Sequence, residues 1–227
     1  MRKLYIGNKN YSSWSMRPWI LMKQAGIPFE EVKVRFDSFE ADSQFKTTIG
    51  ALNPVAKVPV LVDGDLVVWD TLAIAEYLAE TLPEKQLWPR AAADRAHARS
   101  ICAEMHSGLG SLRGLCPMNI EASLADVGAR LLKDNPGLQA DLDRIVQMWS
   151  GLLDAHGGPL LFGGFSIADS YFAPVGTRIK TYGLPVPAAV TAYVDRVRAL
   201  PSVQAWVKDA LAERDFRDFE EPYRQGR

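Results

Sequence analysis

The sequence predicts a protein of the α/β plus all-α class, with an α/β domain at residues 1–82 and an all-helical domain at residues 90–227. Strand-like and helix-like segments alternate in the first part, whereas the segments of the second part have a helical period throughout. Prolines at both ends of residues 83–89 are typical of a linker. The first part therefore has the order β-α-β-α-β-β-α, in which the first strands can be parallel.

The first three elements each have a local signal. A strand is predicted at residues 4–6, an apolar segment that ends at Gly7. A second strand is predicted at residues 29–34, where apolar and polar residues alternate. Between them, a helix is predicted from about residue 16 to 25. Ser15 is its expected N-cap and Gly26 its expected stop. A short strand thus leads into a helix start.

The rest of the first domain is dominated by a hairpin. A polar stretch with some helical character at residues 40–49 precedes it. The apolar, β-branched runs at residues 58–62 and 66–69 flank an Asp-Gly-Asp turn, which predicts two antiparallel strands. A helix over residues 72–82 follows and ends at a proline.

The second part is predicted to be entirely helical. Its periodic segments predict helices at residues 91–113, 121–133 and 138–156. Ser166 and Asp169 have the spacing of a capping box, which opens a helix that enters the interior near Tyr171 and Phe172. Two further helices follow, and Ser202 is the expected cap of the second.

Composition limits the classes of function. The chain has 227 residues and a formal net charge of -1, so we expect no general attraction to nucleic acid or to an anionic membrane. No apolar run is long enough for a signal peptide or a membrane span, which predicts a soluble, cytoplasmic protein. Cys102 and Cys116 lack metal-ligand spacing, and so do the three histidines. We therefore expect no metal site.

The start of the first helix is the first candidate site. Ser12 and Ser13 lie where free backbone N–H groups and the positive end of the helix dipole favour a bound anion such as a thiolate. The alternative is that these serines only cap the helix and solvate a loop.

Three motifs, in this order, carry a family resemblance. They are a serine-rich loop at residues 11–17, an Asn-Pro-Val-Ala-Lys-Val-Pro-Val-Leu run at residues 53–61 with Trp-Asp-Thr-Leu-Ala-Ile at residues 69–74, and the Ser-Ile-Ala-Asp box at residues 166–169. Together they resemble the soluble glutathione S-transferases over essentially the whole chain. The loop looks like that of serine-type zeta, tau and related bacterial members. The resemblance implies a thioredoxin-like first domain.

The resemblance also implies a role for each motif. Ser12 matches the catalytic serine of zeta-like and tau-like loops, and Ser13 is its rival for stabilising the glutathione thiolate. The peptide bond between Val58 and Pro59 corresponds to one that is cis in the family. Val58 is expected to pair through its backbone with the cysteinyl part of glutathione. The remaining expected glutathione contacts are Asp70 and Thr71 for the γ-glutamyl group, Lys57 for the glycyl carboxylate, and Tyr11 and Trp14 beside the serines.

Each of these assignments has a structural alternative. Pro59 can simply begin an edge strand, Asp70 and Thr71 can simply cap a helix, and Lys57 can be an exposed lysine without a ligand. The expected electrophile pocket lies between the serine loop and the long helix of the second domain. Its candidate residues are Met105, His106, Leu109, Leu112 and Arg113, with Pro117 and Met118 after them. Residues at such helical spacing can also be core.

We therefore expect a glutathione transferase, a cytoplasmic homodimer with a role in detoxification. Glutathione is the co-substrate, and its bound thiolate is added to a small apolar electrophile. The alternatives are a glutathione-binding or partner-binding protein without turnover, and a glutathione-dependent peroxidase, dehalogenase or isomerase. Trp14 stands where zeta-like members carry a cysteine, so the loop departs from the pattern of maleylacetoacetate isomerases.

Overall fold

A computed structural model describes residues 1–226. The elements of its first part are β1 (Lys3–Ile6), α1 (Ser13–Gln24), β2 (Glu30–Lys33), α2 (Gln44–Gly50), β3 (Val60–Asp63), β4 (Leu66–Trp69) and α3 (Thr71–Thr81). This is the predicted β-α-β-α-β-β-α order. A 3-10 turn at Pro83–Lys85 leads into the second part.

The strands form one mixed sheet in the order β2-β1-β3-β4. β1 pairs with β2 in parallel and with β3 in antiparallel orientation, and β3 and β4 form the predicted hairpin. Asp63 pairs with Leu66 across a two-residue turn, in which Gly64 has a φ of +62°. A positive φ at this position is the conformation for which glycine is suited.

Among the described residues, the second part contains seven α-helices and a 3-10 turn at Asp218–Glu220. The α-helices are α4 (Ala92–Ser107), α5 (Gly110–Leu115), α6 (Ala125–Asp134), α7 (Pro136–His156), α8 (Ile167–Thr181), α9 (Ala188–Ala199) and α10 (Pro201–Glu213). The capping box of α8 is present, since the Ser166 N–H donates to an Asp169 carboxylate oxygen over 2.9 Å. Tyr171 and Phe172 are buried, as predicted.

The single helix predicted at residues 91–113 is wrong, because the chain breaks between α4 and α5. The Gly108 N–H closes the last turn of α4 on the Glu104 carbonyl, and Leu109 then adopts a left-handed conformation with a φ of 52°. A Cβ at position 108 would lie 2.8 Å from that carbonyl oxygen, so only glycine fits without a shift. The helical period alone does not show this break.

Three predicted helix starts also differ from the structure. Ser15 lies inside α1, and its hydroxyl accepts the Gly7 N–H, so Ser12 occupies the N-cap position. α6 begins at Ala125 and not at residue 121, because the Asn10 side chain holds the N–H groups of residues 120 and 121. Ser202 is inside α10, which begins at Pro201, a residue pre-organised for a first helical turn.

The first helix packs between the two parts. α1 packs against α8 and α10 of the second part and against α3 and β1 of the first. Trp19 and Met16 are therefore buried in a hydrophobic core that is continuous through both parts of the molecule. Burial of a large apolar side chain contributes about 1.5–3 kcal/mol to stability. This packing fixes the position of the N-terminal end of α1, where the predicted serines lie.

Candidate functional site

A tight turn places Ser12 and Ser13 at the start of α1. The N–H groups of Tyr11 and Ser12 both donate to the Asn8 carbonyl, and the Asn8 side chain accepts the Phe36 N–H over 2.8 Å. Ser12 is the N-cap residue and Ser13 is the first residue of the helix. Both serines are buried, and both line a cavity.

Two cavities meet at this helix start. The first, here called the Asp70 cleft, has a volume of about 290 Å³ and is lined by Trp14, Val55, Lys57, Val58, Pro59, Trp69, Asp70, Thr71, His106 and Arg113. The second, here called the serine cavity, has a volume of about 470 Å³ and is lined by Tyr11, Ser12, Ser13, Trp14, Phe36, Phe39, Phe45, Lys46, Lys57, Val58, Arg113, Pro117, Met118, Arg178 and Glu220. Trp14, Lys57, Val58 and Arg113 border both cavities, so one elongated ligand can occupy both.

The N-terminus of α3 forms one wall of the Asp70 cleft. Asp70 caps this helix, since one carboxylate oxygen accepts the N–H groups of Leu72 and Ala73 over 2.8 and 3.4 Å. Its other oxygen lies 3.4 Å from Nε2 of His106 in α4. Thr71 Oγ1 donates to the Trp14 carbonyl over 3.2 Å and thereby joins α3 to α1. A charged carboxylate at a helix N-terminus suits a ligand that carries an ammonium and a carboxylate.

The predicted cis peptide bond, between Val58 and Pro59, is present, and both of its residues line the cleft. Val58 lies just outside the register of β3, whose pairing with β1 ends at Val60. Its backbone thus stands at the edge of both cavities. Lys57, beside it, lines both cavities too.

Buried arginines surround the two serines. Arg178 in α8 donates from Nη2 to Ser13 Oγ over 3.2 Å, and Arg17 donates from Nη1 to the Ser13 carbonyl over 2.8 Å. Burial lowers the pKa of Arg17 to about 9 and that of Arg178 to about 10, so both stay cationic at neutral pH. Two cations and a helix N-terminus make this end of the serine cavity favourable for an anion.

The Tyr11 hydroxyl is engaged elsewhere. It donates to a Glu221 carboxylate oxygen over 2.8 Å and accepts the Arg217 N–H over 3.2 Å. Burial and the hydrogen bond to Glu221 raise the pKa of Tyr11 to about 12. Tyr11 therefore lines the serine cavity while its hydroxyl ties the C-terminal segment to the loop.

An aromatic wall was not predicted from the sequence. The rings of Phe36, Phe39 and Phe45 pack edge to face with centroids 4.9–5.9 Å apart, and Phe219 packs on Phe39. Three phenylalanines within ten otherwise mostly polar residues were the available signal. Glu220 lines the same cavity, and burial, together with the neighbouring Glu221 carboxylate, raises its pKa to about 7.

The predicted electrophile residues separate into two groups. His106 and Arg113 face the cavities, and so do Pro117 and Met118. Met105, Leu109 and Leu112 are buried in the hydrophobic core and border neither cavity. The helical period identified these three as apolar, but it could not show which cavity or core they face, because α5 turns away from α4 at Gly108.

Within residues 1–226, neither a metal site nor a membrane-spanning helix is found. No group of histidine, cysteine, aspartate and glutamate side chains in that range is arranged to hold a metal ion. No helix in the described part of the chain is both long and apolar enough to cross a membrane.

The sheet and the helices that follow it define a protein with a thioredoxin-like first domain and a helical second part. A family model described as "Glutathione S-transferase, N-terminal domain" matches residues 11–81. The chain is 31% identical over 206 residues to a probable maleylacetoacetate isomerase of Caenorhabditis elegans, covering 85% of this chain and 92% of that protein. It is 33% identical over 174 residues to glutathione S-transferase 1 of Dianthus caryophyllus, covering 76% of each.

A solved structure extends the likeness to three dimensions. A Burkholderia glutathione transferase homolog with bound glutathione matches with a TM-score of 0.70 and 27% sequence identity, covering 93% of this chain and 98% of that chain. The chain therefore belongs to the glutathione S-transferase family.

Proposed function

We propose that the protein is a glutathione transferase that binds glutathione across the two cavities. The main support is that two adjoining cavities are bordered by three features of the chain. These are the cis Val58–Pro59 bond, the start of α3 at Asp70 and Thr71, and the start of α1 with its two serines. Asp70 holds the α-ammonium of glutathione, the N-terminus of α3 holds the neighbouring carboxylate, and Val58 pairs with the cysteinyl backbone.

The chemistry follows from the charge at the start of α1. A free thiol has a pKa of about 8.5, so only a few per cent is ionised at neutral pH. The helix N-terminus and the buried arginines favour the thiolate, and the proton leaves to solvent. The sulfur then attacks an electrophilic carbon, and a new C–S bond forms as a leaving group departs or a double bond accepts the electron pair.

The walls of the serine cavity suit an electrophile with a flat apolar part. The phenylalanine wall offers ring faces and edges, while Lys46 and Arg113 offer positive charge for an electronegative substituent. We propose detoxification of such compounds in the cytoplasm by a homodimer. Exposed apolar residues on the edge strand β4, Leu66 and Trp69, support self-association, which light scattering can measure.

Binding and turnover are tested separately. Glutathione at a hundredfold excess over its dissociation constant should stabilise the fold by about 2.7 kcal/mol, which raises the thermal midpoint. Turnover should then appear with at least one compound from a panel of aryl halides, epoxides, enones and hydroperoxides. An unmoved midpoint together with no retention on a glutathione resin would refute the proposal. Binding without any turnover would favour a non-catalytic glutathione-binding protein, and turnover of hydroperoxides alone a peroxidase.

Isomerisation is a second candidate, favoured by the likeness to the probable maleylacetoacetate isomerase. In that reaction the thiolate adds to the double bond and leaves again after rotation, so glutathione is regenerated. Maleylacetoacetate as the substrate distinguishes the two functions, because isomerisation consumes no glutathione whereas conjugation consumes one molecule per turnover.

A further inference from the structure

Arg178 is a buried cation at the wall of the serine cavity. Arg178 is only 4% exposed to solvent. Its guanidinium donates to the Cys116 carbonyl over 2.8 Å, to the Pro174 carbonyl over 3.2 Å and to Ser13 Oγ over 3.2 Å. Among residues 1–226, no carboxylate forms an ion pair with it. A buried charge without an opposite charge is costly, so its presence at a cavity wall points to a purpose that involves an anion there.

The hydrogen bonds distinguish the two serines. A guanidinium can only donate, so Ser13 Oγ must accept from Arg178, and the hydrogen of Ser13 is left for another acceptor. Ser12 Oγ instead hydrogen-bonds with Ser15 Oγ over 2.7 Å, and Ser15 Oγ also accepts the Gly7 N–H over 3.2 Å. The Ser12 hydroxyl thus belongs to a network that fixes the start of α1 to the end of β1.

Polarisation adds to this difference. A hydroxyl oxygen that accepts from a cation becomes a stronger donor, because hydrogen bonds in a chain polarise one another. Arg17, which donates to the Ser13 carbonyl and lies 4.3 Å from the Trp14 ring, holds the same residue in place from the other side. Ser13 is therefore both oriented and polarised, with its free hydrogen beside the cavity.

We infer that Ser13, positioned and polarised by Arg178, donates the hydrogen bond that stabilises the glutathione thiolate. Ser12, which occupies the position of the catalytic serine in similar loops, then has a structural role. Arg178 is a positioning residue in this scheme, since it acts on the sulfur through Ser13. The inference rests on the proposed binding of glutathione and names the groups that activate it.

The decisive measurement is the pKa of the bound thiol, followed by the ultraviolet absorbance of its thiolate as pH is varied. Ser13→Ala should raise this pKa by about one unit, a roughly tenfold fall in the ionisation constant of the bound thiol, as expected for loss of a hydrogen bond to a charged group. Ser12→Ala should cause a smaller rise. Ser13→Thr keeps the hydroxyl and should restore most of the ionisation.

Arg178→Lys tests the positioning role, because lysine retains the charge but not the forked donor geometry. It should raise the thiol pKa while leaving glutathione affinity at low pH, where the thiol is protonated in all variants, nearly unchanged. In the double variant Ser13→Ala/Arg178→Lys, the rise should be no larger than that of the larger single variant. Arg144→Lys is the matched control. Arg144 lies on α7 and forms an exposed ion pair with Glu104 of α4, so this variant should leave the thiol pKa unchanged.

The outcomes separate the inference from the proposed function. A wild type that fails to bind glutathione overturns both. Normal binding with a larger shift in Ser12→Ala than in Ser13→Ala overturns the inference alone. Additive shifts in the double variant also overturn it, because Arg178 would then act on the sulfur independently of Ser13. If Arg178→Lys lowers the thermal midpoint too far for titration, the comparison of the two serine variants still decides the donor.

Discussion

Replacing Asp70 by asparagine should separate two tasks of one side chain. In the structure its carboxylate caps α3 through the N–H groups of Leu72 and Ala73, and we propose that it also holds the α-ammonium of glutathione. Asparagine is as good a cap as aspartate and tolerates the positive φ of 76° found here, but it carries no charge. Alanine removes both the cap and the charge.

The two variants therefore differ in a measurable way. Loss of the cap in Asp70→Ala should cost about 1 kcal/mol of stability, which lowers the thermal midpoint of a chain this size by about 2–4 °C, whereas Asp70→Asn should keep the midpoint. Loss of a hydrogen bond between charged groups costs about 1.5–3 kcal/mol, so both variants should bind glutathione roughly 10- to 150-fold more weakly. Titration calorimetry and the KM for glutathione measure this change, and kcat should change less.

A glutathione analogue without the α-amino group provides the control. Wild type should lose as much affinity for this analogue as Asp70→Asn loses for glutathione, and combining variant and analogue should add little, because each change removes the same contact. Equal affinity of Asp70→Asn and wild type for glutathione would refute the assignment. An additive loss would show that the amino group is bound by another residue, for which His106, 3.4 Å from the Asp70 carboxylate, is the first candidate.

Two further predictions concern stability. Gly128→Ala should destabilise the fold by about 1–3 kcal/mol in urea unfolding, because its Cβ would lie 1.8 Å from the Tyr182 carbonyl oxygen. The control is Gly151→Ala at an exposed position of α7, which should stabilise the fold by about 0.5–1 kcal/mol. Equal effects of the two substitutions on stability would contradict the close packing at Gly128. Glu220 has a pKa raised from 4.5 to about 7, so its stabilising contribution is present at low pH and is lost as pH rises through about 7. Glu220→Gln should therefore gain stability relative to wild type between about pH 5 and about pH 8, and a pH-independent difference would show that this carboxyl titrates normally.

Local signals in the sequence were sufficient for most of the fold. The Asp-Gly turn before Leu66 and the Ser166–Asp169 box each involve residues a few positions apart, so the chain itself determines their geometry. The cis bond before Pro59 was implied by the resemblance and is present in the structure. The order of the elements in the first part followed from these signals.

Contacts between distant residues account for what the sequence could not show. The Asn10 side chain delays the start of α6 by bonding residues 110 positions away, and no periodicity encodes that. The phenylalanine wall likewise forms only when residues 36–45 fold over the start of α1. The same holds for the bond between Ser13 and Arg178, which are 165 positions apart. Motif reading could name two serines, but the choice between them depends on this contact.

The start of α1 is therefore a joint product of both parts of the molecule. Arg178 of α8 bonds Ser13, the Arg17 Nε donates to the Tyr171 carbonyl, and the Trp206 indole donates to the Lys9 carbonyl, each across the boundary between the parts. None of these second-part groups neutralises a charge on α1, because the Tyr171 carbonyl and the Trp206 indole are neutral and Arg178 is itself a cation. They fix the loop in space, and Arg178 places a positive charge beside Ser13 that the first part alone would lack. In the proposed scheme the first part supplies most glutathione contacts, whereas ionisation of the bound sulfur depends on Arg178 of the second part through its bond to Ser13.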